Sequence, residues 1–348
     1  MTQESPTTAP EVTPPPGPED RQRGRRWSLL ASWDGAVIVI LIVVFLAAAV
    51  LVDNFTNPIN LSFLLLDVAA IALIAMPMTM VIITGEIDLS VASALGLTSA
   101  VMGQLWFLGV PLETAIVLSV LLGAVLGALN GVFVTQFGLP SLAVTIGTLA
   151  MYRGLAFVVL GGRAVADFPP SWTQAVTSSI PGLPLPWIVV PLIGFAVIFG
   201  IVLHATPVGR GLYAIGNSDQ ASVFSGINVR LTKCWLFVAT GVMSAIAGVY
   251  WTLRFASARA DNAVGLELSV VAAVLLGGVS IFGGTGTLTG VLAGVLLLGT
   301  LTNALQLANI SADVVQVVTG VLLIISVLAP NVLTALRNAR GARSGSAA

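Results

Sequence analysis

Two carboxylates, Glu86 and Asp88 in the stretch GEIDLSVASA, stand between the apolar runs PMTMVIIT and LGLTSAVMG. Burying an unpaired charge costs several kcal/mol, so their position needs a physical reason. Two readings are open. In one, Asp88 is a helix N-cap with Ser90 in the first turn, where free backbone N–H groups and the helix dipole favour a negative charge. In the other, Glu86 or Asp88 belongs to a polar patch that contacts a hydroxylated solute or gates its path. Asp67 and Arg153 also fall within apolar runs, and ionisable groups there face a bundle interior and find partners. An ion pair between them is one expectation, a place on a solute path the other.

Other chemistries find little to work with. GGTGTLTG (283–290) is glycine-rich, but a phosphate-binding P-loop needs G-x-x-x-x-G-K-[ST], and the one lysine, Lys233, is followed by Cys234. The chain is therefore not expected to be an ATPase of that class, nor an enzyme. His204, beside Ala205-Thr206-Pro207, reads as a solvated or interfacial side chain, because no second histidine exists to share a metal or a proton relay. A single cysteine forms no internal disulfide. Neither catalytic nor metal-binding residues are expected. A faint internal echo pairs GAVLGALNGVFV (123–134) with GVLLLGTLTNAL (294–305), placing Asn130 and Asn303 at similar offsets after glycine-rich breaks, in the manner of transporter repeats. The polar residues expected along a path are thus Glu86, Asp88, Asp67, Asn130, Glu267 and Asn303.

The elements that position these residues are helices in a membrane. Apolar residues make up 57% of the 348-residue chain and charged ones 8%, with mean hydropathy +1.01, whereas soluble domains carry roughly a quarter charged residues. At about 20 residues per crossing there is room for about ten helices and for no soluble domain of useful size. Apolar stretches fall at about 35–53, 59–84, 89–108, 112–135, 141–160, 186–204, 233–253, 265–282, 287–307 and 313–330. The fold class expected is an all-α polytopic transmembrane bundle of about ten spans, with broken helices and a repeat.

The expected organisation is a disordered tail (1–33), a membrane domain (34–334) and a short second tail (335–348). The first tail is Pro/Thr/Glu-rich and then basic, a composition that cannot bury enough apolar surface to fold, and it lacks the pattern of a signal peptide. Arg21, Arg23, Arg25 and Arg26 before the first span and Arg337, Arg340 and Arg343 after the last place both ends in the cytoplasm by the positive-inside rule. The same count puts 205–232 inside and 161–185 outside. Arg254 and Arg259 then lie on the outer side, where Asp261 and Glu267 can pair with them. Net charge is near neutral, so nucleic acid is not a partner; membrane lipid is.

Glycines spaced as G-x-x-x-G, Gly123 with Gly127 and Gly290 with Gly294, read as helix-packing devices. Gly277-Gly278 and Gly283-Gly284-Thr285-Gly286 read instead as a broken helix near a translocation path, because irregular backbone at membrane depth survives only when buried in protein or facing water. In the loop 209–233, NSDQASVFSGINV reads as a short helix capped by Ser218 or Asp219 and ended by Gly226. Such a helix has a natural use as a docking peg.

TMVIITGEIDLSVAS, NGVFVTQFGLPSLAVTIGTLAMYRGLAFV, YAIGNSDQASVFSGINV and AAVLLGGVSIFGGTGTLTGVLAG, in that order, resemble the signature stretches of ribose-type permeases of bacterial ABC sugar importers. The resemblance covers about residues 35–333. PMTMVIITGEID and FASARAD resemble stretches of the second permease subunit of autoinducer-2 import systems and of rhamnose-type permeases. Many relatives carry Gly-Gly-Ile-Asp where this chain has Gly85-Glu86-Ile87-Asp88. The resemblance implies a bacterial plasma-membrane subunit carrying a sugar or sugar-like solute, dimerised with an identical or a second permease. A cytoplasmic ATP-binding subunit and an extracytoplasmic solute-binding protein would be partners, with ATP and Mg on the ATPase and no cofactor on this chain. Asn217, Ser218, Asp219, Gly226 and Asn228 would form the ATPase-coupling helix. The alternative is an ion-coupled secondary transporter using Asp67, Asp88 or Glu267 for cation coupling.

Overall fold

A computed structural model describes residues 33–311, 313–325 and 328. The expectations on residues 1–32 and on the final tail lie outside these residues. Each expected apolar stretch carries a helix, in the order α1 (Trp33–Leu51), α2 (Pro58–Ile83), α3 (Val91–Phe107), α4 (Leu112–Thr135), α5 (Ser141–Leu160), α6 (Pro170–Thr177), α7 (Val189–Ala205), α8 (Pro207–Asn217), α9 (Asp219–Phe224), α10 (Val229–Phe255), α11 (Leu266–Leu276), α12 (Leu288–Leu307) and α13 (Asp313–Ile325). By length and composition α1, α2, α4, α5, α10 and α12 are full membrane spans; α7 joins α8 across a 66° bend, and α3, α11 and α13 are shorter apolar helices. The chain is an all-α polytopic bundle.

The centre is α2. Asn57 caps its start by accepting the Ile59 N–H at 2.9 Å, with Pro58 in the first turn where no intrahelical donor is lost. From Leu64 to Ile83 nearly every residue is buried, and α7, α10, α11 and α12 pack around it. Ala69, Ala70, Ala72 and Ala75 keep its surface slim enough for so many neighbours. By contrast α1 and α7 bury only a few side chains, and large apolar residues such as Ile40, Val43, Ile193 and Ile201 face outward, as a lipid-facing belt requires.

The glycine spacings do pack helices. A Cβ on Gly127 would run into the Phe237 carbonyl oxygen of α10, and one on Gly123 into the Gly241 carbonyl oxygen, so α4 and α10 lie backbone to backbone. Gly290 and Gly294 hold α12 against Gly277 and Ala273 in the same way.

The expected span at 265–282 is a half-helix. Its 11 residues reach about 16 Å, half the roughly 30 Å hydrocarbon core. Gly265, at φ +85°, opens it, and the glycine-rich turn that closes it carries positive φ at Gly278, Gly283, Gly284 and Gly286. That turn is protein-packed: the Gly284 N–H donates to the Ile83 carbonyl at 2.9 Å, and the Trp33 indole donates to the Leu276 carbonyl at 3.0 Å.

Candidate functional site

The chain breaks between α2 and α3 at the two carboxylates. Gly85, at φ +79°, makes the turn that a residue with a Cβ would resist. Asp88 is 1% exposed. Its Oδ1 accepts the Ser90 N–H at 3.0 Å and the Ser90 hydroxyl at 2.7 Å, and its Oδ2 accepts the Thr240 hydroxyl at 2.8 Å. Asn130 Nδ2 donates onward to Ser90 Oγ at 2.8 Å, and the Tyr152 hydroxyl lies against the Leu126 carbonyl and Asn130 Oδ1. One buried carboxylate thus joins α3, α4, α5 and α10. This corrects the simple N-cap expectation: Ser90 is the N-cap, its own side chain makes no capping bond, and Asp88 sits two residues earlier holding that cap's N–H and hydroxyl. α5 closes over the break, with Ser141 Oγ accepting the Ile87 N–H at 3.2 Å.

Glu86 points the other way, to Lys233. The Lys233 ammonium donates to Glu86 Oε1 and to Asp219 Oδ2, both at 2.8 Å. Lys233 and Glu86 are mostly buried, 10% and 17% exposed, whereas Asp219 is half exposed at 52%. The cation therefore ties the α2–α3 break to α9. Ser218 caps α9 by accepting the Ala221 N–H at 3.2 Å, which decides between the two expected caps, and Gly226 at φ +83° turns the chain out of it. Asn228 caps α10 through the Leu231 N–H at 3.1 Å, and Asn217 folds back to the Tyr213 carbonyl. Gly216 of α8 presses on the Ile83 carbonyl and on Gly284, and the Tyr213 hydroxyl donates to the Gly286 carbonyl at 2.8 Å, seating α8 on the glycine-rich turn. Phe224, at the tip of α9, is 92% exposed.

A cavity of about 610 Å³ lies between the 259–266 loop, α11, α12 and α13, with Ile71 of α2 and Trp251 of α10 on its wall. A smaller one of about 180 Å³ adjoins it through Ser269, Thr302, Gln306 and Thr319 and reaches Asp67 and Asn303. The expected Asp67–Arg153 pair does not form. Asp67 pairs with Arg254 across the bundle, while Arg153 donates to the carbonyls of Ala260 (2.7 Å), Asn262 (2.8 Å) and Ala92 (3.3 Å). Arg153 is nearer to Asp67 in the sequence, but helix packing decides the pair. Arg259 grips Asp261 at 2.8 and 2.9 Å, and that guanidinium holds the Asp261 carboxyl below the usual carboxylate range. Asn303 exchanges two hydrogen bonds with Asn60, at 2.9 and 3.1 Å. Among the described residues no three His, Cys, Asp or Glu side chains gather as a metal set.

A family model described as "branched-chain amino acid transport system / permease component" matches residues 60–327. The chain belongs to this permease family. It is 34% identical over 306 residues to the "Autoinducer 2 import system permease protein LsrD" of Escherichia coli (strain SMS-3-5 / SECEC), covering 86% of this chain and 92% of the relative. The proteins of the same name from Escherichia coli (strain K12) and Shigella flexneri are 33% identical over the same spans. No solved structure gives a significant match.

In this permease the expected path residues separate into three places. Asp88 and Asn130 are linked through Ser90 at the α2–α3 break, where Glu86 turns instead to Lys233; Asp67 and Asn303 line the smaller cavity, and Glu267 sits in the first turn of α11. Sequence reasoning passed over Ser269, Thr302, Gln306 and Thr240, which lie in apolar helices without a local mark. Lys233 carried a usable signal: as the one lysine, at the start of a span, it had to find acidic partners, and both carboxylates it chose were already in view.

Proposed function

We propose that this chain is the transmembrane subunit of a binding-protein-dependent ABC importer that carries a sugar or sugar-like solute of the autoinducer-2, ribose or rhamnose type. The observation that carries the reading is α9: a capped, solvent-exposed helix with a bare Phe224 at its tip, held to the centre of the bundle by Lys233 and backed by α8 on the glycine-rich turn. Such a projection suits a groove on a cytoplasmic ATPase, and its backing gives a route by which movement there reaches the α2–α3 break. The names of the relatives support import and the autoinducer-2 class. A second permease copy or homologue, the ATPase with its ATP and Mg, and an extracytoplasmic binding protein complete the system, and both termini of this chain lie in the cytoplasm.

Reconstitution tests this. The chain with its partner permease, ATPase and binding protein, in proteoliposomes, should import labelled solute only with ATP, and Phe224→Glu should release the ATPase while leaving the chain folded. Uptake by this chain alone, driven by a proton or sodium gradient, would sink the reading in favour of an ion-coupled transporter.

A further inference from the structure

The cavity walls define what they could hold. Ser269 on α11, Thr302 and Gln306 on α12 and Gln316 on α13 line the space, and none of their side chains has a hydrogen-bond partner among the described residues. Ser269 and Thr302 are half-buried and Gln306 and Gln316 exposed, so these hydroxyls and amides are free to bond water or a polar ligand in the open space. The carboxylates at the two cavities are neutralised, Asp67 by Arg254 and Asp261 by Arg259. Glu267, in the first turn of α11, offsets the positive end of that half-helix. No free charge of either sign is left in the lining among the described residues. A cation, an anion or a zwitterionic amino acid would find no unpaired counter-charge there among the described residues. Trp251 adds an aromatic wall suited to the apolar face of a ring. The volume, about 610 Å³, falls in the roughly 300–1,000 Å³ range of small-molecule sites.

We propose that the cavity between α2, α11, α12 and α13 is a solute site for a neutral polyhydroxylated molecule, with Ser269, Thr302 and Gln306 hydrogen-bonding its hydroxyls and Trp251 covering its apolar face. The proposal rests on reading the chain as a permease for a sugar-like solute, and it assigns the class to this subunit's own residues and not only to a binding protein.

The test uses the full chain with its partners in membrane vesicles. On a Cys234→Ser background, Ser269→Cys and Thr302→Cys are treated with a hydrophilic methanethiosulfonate, with and without D-ribose, L-rhamnose, autoinducer-2, L-leucine or choline. Both new thiols should react, and at least one of the three neutral solutes should slow the reaction while leucine and choline do not. Unreactive thiols, labelling that no neutral solute slows, or protection by leucine or choline alone overturns the site. Volume-conserving Thr302→Val with Gln306→Leu should lower uptake about thirty-fold, the effect of two lost hydrogen bonds, at unchanged membrane abundance; unchanged uptake counts against the site. Measuring ATP dependence in the same vesicles separates the two ideas. Neutral-solute protection without ATP-driven uptake leaves the site standing and sinks the importer reading; ATP-driven uptake without protection does the reverse.

Discussion

Asp88 is buried without a cation, and three donors replace one: a backbone N–H and two hydroxyls. The hydroxyls can also accept, so Asp88→Asn has only to supply an acceptor to the Ser90 N–H and can donate to Thr240 in return. Asp88→Ala leaves that buried N–H and the hydroxyl network unsatisfied, a cost of about 1–3 kcal/mol. We expect Asp88→Asn to keep near-normal membrane abundance and thermal stability in detergent and Asp88→Ala to lose both; equal loss in the two would show that the charge itself is needed. Lys233 tells a different story, since it serves two carboxylates of unequal exposure. The mostly buried Glu86 arm should dominate stability, because the half-exposed Asp219 arm is screened and worth about 0–1 kcal/mol. Lys233→Met should therefore destabilise the protein by roughly 1.5–3 kcal/mol, and adding Glu86→Gln should recover part of that, measured as a double-mutant cycle on thermal unfolding. Strict additivity would dismiss the pair as a structural link.

Among the elements, two glycines fail for different reasons when replaced. Gly226 ends α9 at φ +83°, yet a Cβ there meets nothing within 4 Å. Its constraint is backbone conformation alone, about 1–2 kcal/mol for an ordinary residue. Gly226→Asn should therefore pass and Gly226→Val should tilt α9 and lower ATPase co-purification; equal behaviour of the two would rule out a left-handed turn as the requirement. Gly127 is helical and unstrained, but a Cβ would strike the Phe237 carbonyl of α10. Gly127→Ala should lower the unfolding temperature, whereas Gly147→Ala in α5, which meets nothing, should not. The G-x-x-x-G seams and the short capped helix were legible beforehand because each depends on local backbone: a glycine admits a close neighbour, a serine caps, a glycine turns the chain. The α11 half-helix was legible only as a break, since its length depends on where the turn packs against Ile83 and Trp33.

For the whole molecule, the arrangement fixes relative sides that a reporter can check. Gly182 and Gly226 are separated by α7 alone as a crossing, and the arginines before α1 favour the cytoplasm for the side that carries α9. Alkaline phosphatase fused at Gly182 should be active outside and a fluorescent protein at Gly226 bright inside; the reverse pattern would invert the topology and remove α9 from any ATPase. The sequence by itself determined that this is a helical membrane protein, where its helices run, where they break and where a short capped helix stands between two of them. Lipid supplies no hydrogen bonds, so every long apolar run must satisfy its backbone as helix, and glycine, proline and capping residues mark the exceptions. Tertiary structure alone decided the partners: Asp67 with Arg254, Lys233 between Glu86 and Asp219, Asn303 with Asn60, and the neutral lining of the cavity. The physical reason is that lipid tails are as apolar as the protein core, so a span needs no polar stripe on its outer face. Without that stripe the period of a helix no longer tells which face turns inward, and only packing places a serine, threonine or glutamine beside a solute path or against lipid.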